Sequence, residues 1–83
     1  MKLLYFAWIR EKIGVSEESH DCPESVLTVK ELMEYLSSRG DGYQDAFSDS
    51  SVIRVAINQD YAKLDQAISP SDEIAFFPPV TGG

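Results

Sequence analysis

The sequence predicts an α+β fold in which about five strands form one mixed sheet that packs against one main helix. The length of 83 residues suits a single domain with one core. A hydrophobic content of 43%, with 11% aromatic residues, is typical of a compact globule and not of a disordered chain. The apolar patterns also follow one another as two strand-like segments, a helical segment and further strand-like segments.

The chain opens with an apolar run at residues 2–8, which has the weak alternation expected of a buried central strand. Ile9 and Ile13 are four residues apart with charged residues between them, which favours a short helical turn closed by Gly14. Residues 15–22 are mostly polar, and we predict that they form a second strand at an exposed edge of the sheet.

The strongest helix signal lies at residues 29–39. Thr28 is a residue type that caps helices, and Glu31, three positions later, can return a hydrogen bond in a capping box. Gly40 stands where a left-handed C-cap is expected. One helix face is apolar and consists of Val29, Leu32, Met33 and Leu36. We therefore predict a core-facing helix whose Met and Leu side chains serve packing and not cofactor binding.

The second half of the chain predicts one further helical turn, at residues 43–47, and three strands. β-branched residues and partial alternation indicate the strands, and polar turn residues separate them. Pro78 and Pro79 end the last strand, because neither can donate a hydrogen bond to a ladder. The three strands are predicted at residues 52–57, 61–63 and 73–77.

Parallel pairing of the first and last strands makes this arrangement a β-grasp, or ubiquitin-like, fold. The helix then belongs to a crossover connection, which should be right-handed. We predict that residues 1–77 form the β-grasp domain and that residues 78–83 form an extended tail ending in Gly-Gly.

Charge and cysteine content exclude several classes of function. Fourteen acids against seven bases give a net charge of −7 without a basic cluster, which argues against nucleic-acid binding. The single cysteine, Cys22, cannot form an internal disulfide and fits a reducing, cytoplasmic location. The first apolar run lacks a cleavage site and is too short to span a bilayer, so no membrane partner is expected.

The sequence predicts no internal catalytic or metal site. His20 and Cys22 lie two residues apart on the predicted edge strand, and neighbouring acids disfavour a reactive thiolate, so both are interpreted as surface residues. Acid pairs such as Glu17-Glu18 are interpreted as solvated. Metal-ligand spacings and glycine-rich phosphate loops are absent from the sequence.

The last residues differ in kind from an ordinary polar terminus. Two aromatic residues finish a strand, two prolines stiffen the exit, and two glycines form the tip. Six extended residues reach about 20 Å, enough to enter a cleft of another protein. Glycines fit a narrow channel and leave the Gly83 carboxylate unhindered for attack on a nucleotide phosphate, so we predict that Gly83 carries the working group. The predicted tail comprises Pro78, Pro79, Val80, Thr81, Gly82 and Gly83.

Several stretches spread over nearly the whole chain carry a family resemblance. They are Tyr5-Phe6-Ala7, Ile9-Arg10-Glu11, Ile13-Gly14, Thr28-Val29, Glu31-Leu32 with Leu36, Val55 to Gln59, and Asp72 to Gly83. Together they resemble the small subunits of molybdopterin synthase, the MoaD branch of the ubiquitin-like sulfur carriers. The last block is highly specific, whereas the helix block alone fits many domains.

The resemblance implies a cycle of loading and transfer. An E1-like adenylyltransferase uses ATP to adenylate Gly83, and a sulfur-transfer system converts it to a thiocarboxylate. The tail then enters the large subunit of molybdopterin synthase and donates sulfur to precursor Z in molybdenum cofactor biosynthesis. The chain itself would bind no cofactor and would be enzymatic only as the sulfur-donor subunit.

An apolar docking patch is also expected. Alternation along the last strand places Phe77 on the open face beside the tail, opposite to Ile74 and Phe76. The resemblance adds three partner-facing positions, which are Phe6, Tyr61 and Arg10. Phe6 fits the core and the interface equally well, and Tyr61 stands where an aliphatic residue is expected.

Other functions stay open on the sequence alone. A sulfur carrier of the thiamine pathway shares the fold and the Gly-Gly end, although it usually lacks the Phe-Phe-Pro-Pro stretch. A ubiquitin-like modifier would be joined through Gly83 to lysines of other proteins. A binding module with an inert tail is the remaining alternative.

Overall fold

The computed structural model describes residues 1–79, which form one five-stranded sheet with helices on one side. The strands are β1 (Lys2–Tyr5), β2 (Glu17–Ser19), β3 (Arg54–Ile57), β4 (Asp60–Ala62) and β5 (Glu73–Phe77). The helices are α1 (Ala7–Ile13), α2 (Val29–Ser37) and α3 (Asp41–Ala46), and a 3-10 turn spans Ser50–Val52. In this part of the chain no helix is long and apolar enough to cross a membrane.

The sheet has the strand order β2-β1-β5-β3-β4. The central strands β1 and β5 pair in parallel, and all other neighbours are antiparallel. The first and last strands of the fold therefore lie side by side, with α2 in the long connection between them. The predicted mixed sheet and β-grasp arrangement are confirmed.

The core lies between the sheet and α2. All four residues of the predicted helix face are buried, as are Ile74 and Phe76 on β5. The Phe76 ring stacks on Tyr5 with centroids 5.9 Å apart and meets Phe47 edge-on at 5.0 Å. Burial alternates along β5, so one sheet face is closed by helices and the other is left open.

The start of α2 has the predicted capping box. Thr28 Oγ1 accepts a hydrogen bond from the Glu31 N–H at 3.2 Å, and Glu31 Oε1 accepts one from the Leu27 N–H at 3.1 Å. The predicted C-cap is wrong, because α2 ends at Ser37 and Ser38 caps it in a right-handed conformation. The Ser38 N–H and hydroxyl bond the last carbonyls, so a left-handed glycine is not needed, and Gly40 precedes α3 instead.

The first apolar run divides between two elements. β1 ends at Tyr5, three residues before the predicted end, and α1 begins at Ala7. Ile9 is fully buried on α1, so the end of this run belongs to a helix face; a short apolar run does not distinguish strand from helix. The Gly14 C-cap is confirmed, with φ 100° and a 2.7 Å hydrogen bond from its N–H to the Arg10 carbonyl.

The strands β2, β3 and β4 are shorter than predicted or shifted, because partners and turns set their limits, whereas β5 has the predicted bounds. β2 stops at Ser19, where its neighbour β1 also begins, since Ser19 pairs with Lys2. β3 begins at Arg54 because the 3-10 turn occupies the preceding residues. Asn58 and Gln59 both have positive φ, 51° and 75°, as a tight two-residue hairpin turn requires, which sets the start of β4.

Candidate functional site

The open face of the sheet carries three rows of side chains that run across the strands. The row at the end where the chain leaves β5, called here the tail-end row, consists of Phe6, Phe77 and Arg54. The middle row consists of Glu17, Leu4, Ala75, Ala56 and Tyr61, and the far row of Ser19, Lys2 and Glu73. These rows follow from the strand registers and from the period of two along each strand.

Phe6 and Phe77 lie next to each other at the tail end. The Phe6 N–H donates to the Phe76 carbonyl at 3.1 Å, which extends the β1–β5 ladder one residue beyond the strand and brings Phe6 beside Phe77. Phe6 is 45% exposed, so it belongs to the open face and not to the core. Phe77 is half-buried on the same face, as alternation predicted.

Tyr61 is brought to the same patch. It is 80% exposed, and its ring centroid lies 5.9 Å from that of Phe77. Ala56 pairs with both Tyr61 and Ala75, and these two alanines have too little bulk to hold the ring away from Phe77. The three aromatic residues Phe6, Phe77 and Tyr61 therefore form one surface, called here the aromatic patch. An exposed aromatic cluster of this kind is typical of a protein-binding site.

A strained residue fixes Phe6 in this position. Phe6 is the only link between β1 and α1, and Ala7 turns the chain with φ 53°, a left-handed conformation that is unfavourable for alanine. The Phe6 carbonyl then accepts hydrogen bonds from the Ile9 N–H at 3.1 Å and the Arg10 N–H at 3.4 Å. Both backbone polar groups of Phe6 are thereby bonded, which restricts where its ring can point. Nothing in the sequence pattern predicted this strain.

Arg10 lies one helical turn after Phe6 on α1 and is exposed. Its backbone N–H donates to the Phe6 carbonyl, which places Arg10 one turn away from the aromatic patch. This position agrees with the partner-facing role that the family resemblance gave it, and the role itself stays a prediction.

The predicted tail begins at the aromatic patch. Pro78 and Pro79 directly follow Phe77, are half-buried, and do not continue the strand. The other predicted tail residues, including the working group at Gly83, lie outside the described residues; they are Val80, Thr81, Gly82 and Gly83.

A polar cluster on the helix side of the sheet was missed by the sequence analysis. Glu18 Oε2 accepts hydrogen bonds from the Tyr5 hydroxyl at 2.8 Å and the Tyr43 hydroxyl at 2.7 Å. Its Oε1 accepts one from Arg39 Nη1 at 3.0 Å, and the Arg39 guanidinium lies 4.7 Å from the centroid of the Tyr43 ring. The interpretation of Glu18 as solvated is wrong, since its side chain is 18% exposed.

The groups in this cluster shift one another's pKa values. Burial alone would raise the pKa of Glu18, but hydrogen bonds from Tyr43, Tyr5 and Arg39 hold it below its ordinary value. Burial and the neighbouring carboxylate raise the pKa of Tyr5, so its hydroxyl stays a donor. The cluster is therefore a structural tie from the edge strand β2 to β1 and the helices. No sequence pattern marked this residue, because the face it occupies is set by its pairing with Leu3, whose side chain is buried.

His20 and Cys22 are half-buried, which corrects their interpretation as surface residues. The His20 ring shares a hydrogen bond with the Tyr35 hydroxyl. The Cys22 thiol contacts the Met1 sulfur at 3.9 Å, and burial raises the pKa of this thiol, which disfavours a reactive thiolate. Within residues 1–79, no three His, Cys, Asp or Glu side chains converge as a metal ion would require.

Comparison with known families and curated proteins gives a consistent result. Residues 3–83 match the model of the ThiS family. The molybdopterin synthase sulfur carrier subunit of Haemophilus influenzae is 40% identical over 83 residues, covering 100% of this chain and 99% of the relative. The human protein of the same name is 34% identical over 86 residues, covering 100% and 93%.

Solved structures agree with the architecture. A putative molybdopterin converting factor subunit 1 from Pyrococcus furiosus superposes with a TM-score of 0.76 and 30% identity, covering 95% of each chain. SAMP1 from Haloferax volcanii superposes with a TM-score of 0.73 and 28% identity, covering 100% of this chain and 98% of that one.

Proposed function

Since the chain belongs to the ThiS family, we propose that it is the sulfur carrier subunit of a molybdopterin synthase and that Gly83 is its working residue. The observation that carries this proposal is the repeated match to relatives of that name, at 31–40% identity over essentially the full chain. The family match extends through residue 83, so it includes the Gly-Gly tip.

The chemistry assigned to Gly83 follows from the reactivity of a carboxylate. A free carboxylate is a poor acyl donor, because its oxygen is a poor leaving group. Attack of the Gly83 carboxylate on the α-phosphate of ATP releases pyrophosphate and leaves an acyl adenylate. A sulfur nucleophile at the sulfide level then attacks the acyl carbon and displaces AMP, and loss of its proton leaves a thiocarboxylate, whose sulfur is a strong nucleophile. In the synthase this sulfur attacks precursor Z, and water then cleaves the acyl–sulfur bond, which leaves the sulfur on precursor Z and regenerates the Gly83 carboxylate.

The work is divided between this chain and its partners. An E1-like adenylyltransferase binds and consumes the ATP, a sulfur-transfer system supplies the sulfur, and the large synthase subunit supplies general acid and base groups. This chain contributes the tail and the docking face, which is the open sheet face with the aromatic patch. It binds no cofactor alone and takes part in catalysis only as the sulfur-donor subunit. The cytoplasmic location predicted from the single cysteine is part of the same proposal.

The aromatic patch suits this division, because it lies where the tail leaves the domain. A partner that covers Phe6, Phe77 and Tyr61 is at once placed to receive the residues that follow Pro79. The six tail residues reach about 20 Å when extended, so the domain can remain outside the partner while its tip reacts inside. The thiamine-pathway and modifier alternatives are not favoured by the names of the curated relatives.

Deletion of Gly82 and Gly83 tests the proposal. We expect the shortened chain to keep its circular dichroism spectrum and its binding to the large subunit, because the buried residues of the described domain already form a core that ends at Phe76. Sulfur transfer to precursor Z should be abolished. Synthase activity retained by the deletion variant would refute the role of Gly83.

Intact-mass analysis of the full chain purified from cells tests the loading step separately. A carrier is expected to show exchange of one oxygen for sulfur at the terminus, with the deletion variant as the unmodified control. A covalent conjugate with another protein would instead identify a modifier.

A further inference from the structure

The open face differs in charge from the rest of the protein. The chain carries fourteen acids and a net charge of −7, yet the strand positions of the open face hold only two of these acids, Glu17 and Glu73. Glu17 is already paired with Lys2 at 3.2 Å. Both acids lie away from the tail-end row, whose only charged member is Arg54. Among the strand positions of the open face, the tail-end row therefore carries one positive charge and no acid.

Arg54 lies directly against the aromatic patch. It pairs with Phe77 across β3 and β5, and such antiparallel neighbours have Cβ atoms about 4.5–5.5 Å apart on the same face. Val55, the next residue, is buried, so Arg54 points outward, and it is exposed. Lys63 follows directly after Ala62, the β4 residue that pairs with Val55, and so adds a second positive charge at the same end of the sheet.

The charge of Arg54 has no acidic counterpart in the described part of the chain. Arg39 and Lys2 each form an ion pair with a glutamate, whereas Arg54 Nη1 donates only to the carbonyls of Ser51 and Ile53, at 3.3 and 3.4 Å. These long contacts with neutral carbonyls orient the guanidinium without neutralising its charge. A guanidinium presents a planar set of donors that matches a carboxylate.

We propose that Arg54 is a specificity residue of the docking face, which receives an acidic side chain of the large synthase subunit at the point where the tail enters it. This inference rests on the proposed function, because it names a contact within the complex. Docking on the aromatic patch removes water from the neighbouring Arg54, and a guanidinium that loses water without gaining a partner is destabilising. A large subunit that lacks an acid at this place is therefore rejected, and one that has it is selected.

The overall charge strengthens this selection. A carrier with a net charge of −7 repels acidic surfaces at long range, so an acidic partner group is tolerated only beside a local positive charge. The tail-end row provides that charge next to Phe77.

The experiment compares Arg54→Gln with Lys30→Gln in binding to the purified large subunit. Each variant removes one positive charge from an exposed position, but Lys30 lies on α2, on the opposite side of the sheet. At low salt we expect Arg54→Gln to raise Kd about tenfold and Lys30→Gln to raise it less than about twofold. The Arg54 effect should shrink as salt is raised, because screening weakens a rim contact. Thermal unfolding of both variants checks that the fold is intact.

A charge reversal identifies the partner group. Arg54→Glu should bind the wild-type large subunit more weakly than Arg54→Gln does, and one acid-to-lysine variant of the large subunit should bind Arg54→Glu better than it binds the wild-type carrier. Equal effects of Arg54→Gln and Lys30→Gln, with wild-type docking intact, would overturn this inference and leave the proposed function standing. Absence of binding between the wild-type chain and the large subunit would instead overturn the proposed function.

Discussion

Replacing Glu18 by Gln removes a charge on which three donors converge. The carboxylate accepts hydrogen bonds from Tyr5 at 2.8 Å, Tyr43 at 2.7 Å and Arg39 at 3.0 Å. A glutamine has nearly the same shape but only one acceptor oxygen. Its amide NH2 group would face donors where the carboxylate offered an acceptor. The change therefore tests the charge of the cluster while leaving its volume unchanged.

The magnitude follows from these three bonds. A hydrogen bond to a charged group contributes about 1.5–3 kcal/mol, and a buried donor left unpaired costs about 1–3 kcal/mol. Glutamine keeps weakened bonds to the tyrosines and loses the one to Arg39, so we expect the free energy of unfolding to fall by about 2–3 kcal/mol. For a domain of this size that lowers the Tm by roughly 10–20 °C.

Glu17→Gln is the matched control, because it makes the same chemical change one residue earlier. Glu17 pairs with Lys2 at 3.2 Å, but the two side chains are 56% and 50% exposed. Exposed pairs contribute about 0–1 kcal/mol, so this variant should unfold close to the wild-type midpoint. Urea unfolding followed by circular dichroism at neutral pH measures both.

The same cluster predicts a dependence on pH. Because the pKa of Glu18 is lower in the folded chain than its ordinary value of 4.5, its contribution is fully present above that value and is lost as the pH falls through the folded-state pKa. The difference between wild type and Glu18→Gln should therefore close in acid. Equal unfolding energies for Glu17→Gln and Glu18→Gln at neutral pH, or a difference that persists in acid, would refute this account of the cluster.

Two further predictions concern the docking face. Phe77→Ala should weaken binding to the large subunit by about 1–3 kcal/mol, as expected for an interface anchor. The control Val52→Ala removes an apolar side chain that is 41% exposed outside the patch, and it should leave the affinity unchanged. A calorimetric titration that shows unaltered affinity for Phe77→Ala would remove this residue from the interface. Ala7→Gly should raise stability by about 1 kcal/mol by relieving the left-handed strain at φ 53°, and Ala7→Val should lower both stability and docking. In a double-mutant cycle the docking effect of Ala7→Val should be coupled to Phe6→Ala and not to Tyr61→Ala; equal coupling to both would show that Ala7 does not act through Phe6.

Local patterns in the sequence identified most elements of this fold. The face of α2, the cap at Thr28, the limits of β5 and the Gly14 C-cap depend on residues close together in the chain, and each was predicted correctly. The outward position of Phe77 followed from alternation alone. The family resemblance supplied Phe6, Tyr61 and Arg10, which no local pattern would have grouped.

Errors arose where the deciding partner lies far away in the sequence. The end of β2 depends on where its neighbour β1 begins. The length of β1 is an exception, because a strained turn at the nearby Ala7 ends it and residue types do not reveal that strain. Glu18 looked like its exposed neighbour Glu17 because residue type does not reveal the face of an edge strand. Only its register with Leu3 turns it toward Tyr5 and Tyr43.

The sequence by itself determined the fold class, the position of the core helix, and the Phe-Phe-Pro-Pro lead into a Gly-Gly tip, because each is encoded in residues that are neighbours along the chain. Tertiary structure alone decided that Phe6, Tyr61 and Arg54 gather around Phe77. The sheet brings together the four segments that carry these residues, and hydrogen-bonded register places their side chains next to one another on one face.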